Sequence, residues 1–312
     1  MEEEKAFFRI LDELCNEKKI KQKKLSYGWI RNLSKDGINR NIVHYQFDLN
    51  SASSYNIAGD KYATYELLKE NNIPTIKHNM IFNPNTRSNF YNKDYMNLIC
   101  ELLNENKKIV LKANNSYQGK DVYICENKEQ VSKVIEKLFK SNDTLSYCPY
   151  YDIDYEYRAI YLCSEILYIY KKRKPFITGN GKKTIRELIK NKYSENIDIL
   201  KELDLNYIPK QGEQIIISWK HNLSNGAIPI VIDENDEYMD IIKEIALKSA
   251  KAINIKFASI DIALTSKKEV LVMEINASVC MNKFTELIPE GYKIAKDIYS
   301  KALDKMFENY NS

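Results

Sequence analysis

Histidine is scarce in this chain: His44, His78 and His221 are the only three among 312 residues, and no two sit at metal-binding spacing. That excludes a zinc hydrolase built on a histidine pair. The six cysteines (Cys15, Cys100, Cys125, Cys148, Cys163, Cys280) are widely spaced and form no C-x-x-C pair. Zinc-ribbon and dithiol redox motifs are therefore absent, and buried free thiols are expected. No apolar run is long enough to span a bilayer, and residues 1–20 mix acids and bases, which no signal peptide does. The expected setting is cytoplasmic, with no membrane partner. Internal repeats and low-complexity linkers are also missing, so two or three packed units are expected.

What is present is a sequence able to build cores, with 44% hydrophobic residues and a net charge of +4 from 47 basic and 43 acidic side chains. The charges are interspersed. The run from Glu17 to Lys24 reads as a solvated helix face, so no nucleic-acid partner is inferred. A mild positive bias equally suits an anionic small molecule.

Helical spacing marks Phe7, Ile10, Leu11 and Leu14, then a helix after an Asp60 cap that stops before Pro74, then Leu98 to Leu103 and Val131 to Leu138. Residues 25–59 are short, polar and turn-rich. "KIVLK" (108–112) and "DVYIC" (121–125) read as strands. "YEYRAIYL" and "ILYIYKKRK" form a hairpin around Cys163 to Glu165. Thr184 and Glu187 fit a capping box. Met239, Ile242, Ile245 and Ala246 mark a long helix, followed by strands "KFASIDIAL" and "VLVMEINAS" and a helix after Pro289. Short hairpin–helix groups of this kind suit α+β layering.

The chemistry gathers at the last two strands. Alternation places Leu271, Met273 and Ile275 on one face, with Glu274 and Asn276 on the other beside Val270 and Val272. Asp261 shares a face with Phe257, Ser259 and Ala263, and an antiparallel pair joined by "TSKK" brings it near Glu274 and Asn276. Oxygen donors of this kind suit magnesium, or manganese; solvated acids at a strand edge are the competing reading. Lys112 ends a strand before "ANNSYQGKDV", a loop whose N–H groups could close over phosphates or could be an ordinary turn. Lys61 opens the first long helix. Glu156 and Arg158 fall on one strand face, where Glu156 either accepts ribose hydroxyls or pairs with Arg158.

In order, "DKYATYELLKENNIP", "IVLKANNSYQGKDV", "YDIDYEYRAIYL", "GNGKKTIRELI", "NLSNGA" and "ASIDIAL…VLVMEINAS" resemble the ATP-grasp superfamily over about residues 58–280. The nearest flavour is the ligase domain shared by cyanophycin synthetase and bifunctional glutathione synthetase. Asn180 stands where that group has Asp, Lys220 where it commonly has Arg, and Val279 where it often has Pro. The resemblance implies two α+β subdomains clamping ATP, at 60–148 and 149–312, behind a short N-terminal module at 1–59. It implies that Lys61 and Lys112 hold phosphates and that the loop from Ser116 to Gly119 covers them. Pro149, Tyr150 and Tyr151 would meet the adenine through their backbone, and Glu156 the ribose. Magnesium would go to Asp261, Glu274 and Asn276, while Arg158, Arg173, Lys220 and Asn222 would face the triphosphate or acyl phosphate. The implied activity is ATP-dependent carboxylate–amine ligation through an acyl phosphate. Its partners would be a small carboxylate donor and an amine acceptor, amino acid or short peptide, in a protein compatible with homo-oligomerisation. A small-molecule kinase acting on a hydroxyl is the alternative.

Overall fold

Apolar side chains at positions 7, 10, 11 and 14 are enough to commit residues Ala6–Glu17 to an amphipathic helix, α1, and all four are buried. The protein is described by a computed structural model covering residues 5–86, 88–90, 93–115, 121–193, 202–233 and 235–308. After α1 come β1 (Lys21–Leu25), β2 (Ile30–Lys35), β3 (Ile38–Val43) and β4 (Gln46–Phe47), an antiparallel meander. The charged run read as a helix face is thus partly the edge strand β1, where lysines discourage pairing with other chains. The stretch read as merely turn-rich holds three strands, whose inward residues Leu33, Ile42 and Phe47 are too sparse to announce them. Those residues share one core with α1, with Ile160, Tyr170 and Phe257 of the largest sheet, and with Ile298, Tyr299 and Leu303 near the chain's end.

Two helices follow. Ser51 caps α2 (Ala52–Gly59), and Asp60 caps α3 (Lys61–Glu70), its carboxylate accepting from the Ala63 N–H at 2.9 Å. Next come β5 (Asn79–Phe82), α4 (Tyr95–Asn106), β6 (Ile109–Ala113), β7 (Val122–Cys125), α5 (Lys128–Phe139) and β8 (Thr144–Pro149). The four strands form an antiparallel sheet in the order β5-β8-β6-β7. Ile109, Leu111, Leu145 and Tyr147 pack beneath α4 and α5. By alternation, Val110, Lys112, Ser146 and Cys148 point the other way.

The remaining elements are β9 (Ile153–Leu162), β10 (Glu165–Arg173), β11 (Phe176–Thr178), α6 (Ile185–Lys192), β12 (Gln214–Ile216), β13 (Ile228–Val231), α7 (Met239–Ala252), β14 (Phe257–Thr265), β15 (Val270–Asn276), α8 (Asn282–Leu287) and α9 (Gly291–Phe307). The expected capping box opens α6. Five strands make the largest sheet, in the order β13-β10-β9-β14-β15 and antiparallel throughout. Ile242, Ile245, Ala246 and Ala250 of α7 cover one face, against Ala258, Ile260 and Ile262. Its other face and the Lys112 face of the four-stranded sheet enclose a cleft. None of the six cysteines forms a disulfide. Among the described residues no helix is long and apolar enough to cross a membrane.

Candidate active site

Plain alternation along β15 would put Glu274 opposite Ile260, in the core under α7. A bulge prevents this. Ile262 pairs with Val272 but Asp261 pairs with Glu274, so Met273 is an extra residue on β15. The one-residue shift turns Glu274 and Asn276 onto the face that carries Leu271 and Met273, and leaves Val270, Val272 and Ile275 in the core. The expected face assignment of Glu274 is corrected accordingly. A charge that would have been buried without a partner instead lines the cleft.

Asp261 lies opposite both Glu274 and Arg158. Arg158 Nε and Nη2 donate to its two oxygens at 2.7 and 2.6 Å. Lys172 Nζ donates to Oδ1 at 3.4 Å and Asn276 Nδ2 to Oδ2 at 3.3 Å. Lys172, only 2% exposed, also pairs with Glu156. Burial alone would raise the Asp261 carboxyl, but Arg158 and Lys172 outweigh it and hold it below the usual carboxylate range. Burial raises the Glu156 carboxyl against the pull of Lys172. The alternative pairing of Glu156 with Arg158 is not seen: two cross-strand pairs form instead, Glu156 with Lys172 and Asp261 with Arg158. Removing one partner of such a buried pair strands the other charge. Arg158→Leu is therefore expected to cost about 3–5 kcal/mol of stability. Urea unfolding measures it, and Arg158→Leu/Asp261→Leu should recover a large part.

The opposite wall comes from α3 and the smaller sheet. Lys61 begins α3 and its Nζ donates to the Asn114 carbonyl at 3.0 Å. Burial, with Lys112 nearby, lowers its ammonium to about 8 although Glu274 pulls the other way. Lys112 projects from β6 into the cleft beside Val110. Ile76, Val110, Cys148 and Met273 make an apolar slot, closed by Tyr150 and Trp219 with ring centroids 6.2 Å apart. The whole cleft encloses about 970 Å³, its open mouth included.

Ten of the residues singled out in the sequence line this cleft: Lys61, Lys112, Pro149, Tyr150, Tyr151, Glu156, Lys220, Asn222, Asp261 and Glu274. Arg158 and Asn276 lie against its floor through Asp261. Ser116 and Gly119 fall outside the described residues. Arg173 does not line the cleft: it donates to Gln214 at 2.8 Å and lies 4.3 Å over the Phe176 ring, because alternation on β10 turns Lys172 inward in its place. Lys172, Lys174, Trp219 and His221 were not anticipated. The signal for Lys172 is hidden, since a bulge between Ile166 and Tyr168 moves Glu156 from opposite Lys171 to opposite Lys172.

Among the described residues no three His, Cys, Asp or Glu side chains form a metal cage. A magnesium ion shared with phosphates needs only one or two protein carboxylates. Glu274 and Asn276 fit that demand. Asn276 donates its amide N–H groups to Asp261 and to Glu274 (3.2 Å), which leaves its carbonyl oxygen for a cation. Asp261 fits less well, as both its oxygens are already engaged by Arg158, Lys172 and Asn276.

A family profile described as RimK-like ATP-grasp domain matches residues 212–301. The glutathione biosynthesis bifunctional protein of Clostridium perfringens is 26% identical in an alignment of 241 positions that covers 68% of this chain and 29% of that protein. The chain thus spans less than a third of the curated relatives it matches. A bifunctional glutathione synthetase from Pasteurella multocida superposes with a TM-score of 0.56 at 16% identity, over 95% of this chain and 44% of that one. D-alanyl-alanine synthetase A from Vibrio cholerae gives 0.61 at 11% identity, over 96% and 92%. At these identities the structural likeness concerns the fold.

Proposed function

We propose that this chain, which has the ATP-grasp fold, is an ATP-dependent carboxylate–amine ligase. The observation that carries the reading is the convergence of Lys61 and Lys112, three acids (Glu156, Asp261 and Glu274) and an apolar aromatic slot on one cleft between two sheets. The slot takes the adenine and Glu156 the ribose, while Lys61 and Lys112 hold the phosphates. Glu274 and Asn276 hold magnesium, with Asp261 beside them; the ion supplies charge neutralisation at the phosphates. A substrate carboxylate oxygen attacks the γ-phosphorus, and the bond from that phosphorus to the bridging oxygen breaks as ADP leaves. An amine then attacks the acyl carbon, phosphate departs, and the amine gives up a proton. Lys220 and Asn222, on the same wall, face the transferring group. Positioning and electrostatics carry such transfers.

Amino acids and short peptides in the cytosol are the proposed donors and acceptors. An ADP-release screen over donor–acceptor pairs, followed by hydroxylamine trapping, tests the reading. A hydroxamate is expected; ADP release with a phosphorylated hydroxyl and no hydroxamate would establish the kinase instead.

Lys61 gives the cleft a pH dependence. A bound polyphosphate favours its protonated form, so affinity should fall as pH rises through about 8, with proton uptake on binding. Calorimetry in two buffers of different ionisation enthalpy measures that uptake; below about pH 7, with the lysine charged in both states, Lys61 contributes none. Folding has the opposite slope. The unfolded lysine keeps its proton to about 10.5, so this group adds stability as pH rises from 8 to 10.5.

A further inference from the structure

His221 is 4% exposed, lines the cleft, and has no part in the roles above. One ring nitrogen is engaged with the Asp154 backbone, whose carbonyl can only accept, so that nitrogen carries the proton. The other, Nε2, has no hydrogen-bond partner among the described residues and is fully buried. Its neighbours leave only one protonation state. Burial lowers the imidazole, Lys172 and Lys174 beside it lower it further, and the ring stays neutral down to about pH 3. Nε2 is therefore an acceptor held in the wall of the cleft, and a buried acceptor without a donor is a cost that a ligand can remove.

The place of His221 identifies the donor. Asp154 precedes Glu156 by two residues on β9, about 7 Å along the strand. Glu156 has one oxygen committed to Lys172, and among the described residues nothing bonds the second. The wall thus offers two separate acceptors, one carboxylate oxygen and one imidazole nitrogen, where a vicinal diol offers two donors. We infer that His221 Nε2 accepts a hydrogen bond from one ribose hydroxyl and Glu156 from the other, making His221 a specificity residue for ribonucleotides. The inference rests on the cleft being a nucleotide site.

Binding of ATP, 2′-deoxy-ATP and 3′-deoxy-ATP by calorimetry, with magnesium, separates the outcomes. For the wild type each lost hydroxyl is expected to weaken binding about 5- to 10-fold, the scale of one hydrogen bond. In His221→Phe, ATP should weaken to match one of the two deoxynucleotides. That deoxynucleotide should be unaffected by the substitution, and discrimination at the other hydroxyl should persist. His221→Gln, which restores an acceptor, should recover part of the ratio and covers the case in which the phenylalanine variant does not fold. Equal weakening of all three nucleotides in the variants, or an unchanged ratio, overturns the assignment. Failure of the wild type to bind ATP at all instead removes the nucleotide reading, and this inference with it.

Discussion

Glu274→Ala is expected to lower magnesium-dependent ADP release by about 10³-fold or more, the scale of losing a group aimed at developing charge. Its fold should survive. Glu274 is on the cleft face, not in the core, and the hydrogen bond it accepts from Asn276 is 3.2 Å long. The variant also removes one of two neighbouring carboxylates, Asp261 being directly opposite, so repulsion in the ligand-free protein falls. Urea unfolding should place its stability within about 1 kcal/mol of wild type. Glu274→Gln, with similar volume and no charge, should lose turnover almost as far. Retained magnesium-dependent turnover in either variant would remove Glu274 from the site.

Lys112→Ala is expected to weaken nucleotide binding by about 10- to 100-fold, the equivalent of one charge-assisted hydrogen bond of roughly 1.5–3 kcal/mol. Lys112 sits on a strand whose alternate residues, Ile109 and Leu111, are locked in the core beneath α4 and α5. Its backbone is therefore fixed and the effect should be local. Calorimetric affinity for ATP should fall, and the salt dependence of binding should decrease with it. An adenosine probe without phosphates should bind wild type and variant alike. Unchanged ATP affinity would refute the phosphate role.

Much of this cleft was legible because its residues sit where simple periodicities hold. β14 alternates without interruption through Asp261, and its face assignment from the sequence matches the core that Ala258, Ile260 and Ile262 form with α7. Asp60 announces α3 and hence Lys61 through ordinary capping chemistry. What was not legible lies beyond two bulges. The extra Met273 reverses the faces of Glu274 and Asn276, and the extra Leu167 brings Lys172 opposite Glu156. One inserted residue exchanges the two sides of a period-two pattern, and no local composition marks where it occurs. Arg173 was implied by the family resemblance alone, and past this bulge it is Lys172 that turns inward beside Glu156. Trp219 and His221 lie on irregular chain beside Lys220 and Asn222, where no periodicity assigns a direction at all. The opening strands were missed for another reason: their core contribution is spread over Leu33, Ile42 and Phe47, and it becomes visible only against α1 and α9.

On the proposed reading, a divalent cation and a polyphosphate meet between β15 and the two lysines. A crystal grown with manganese and a non-hydrolysable ATP analogue tests it most directly. An anomalous peak is expected beside Glu274 and Asn276, with phosphates against Lys61 and Lys112 and the base between Tyr150 and Trp219. A metal peak away from β15, or a nucleotide bound outside this cleft, would contradict it.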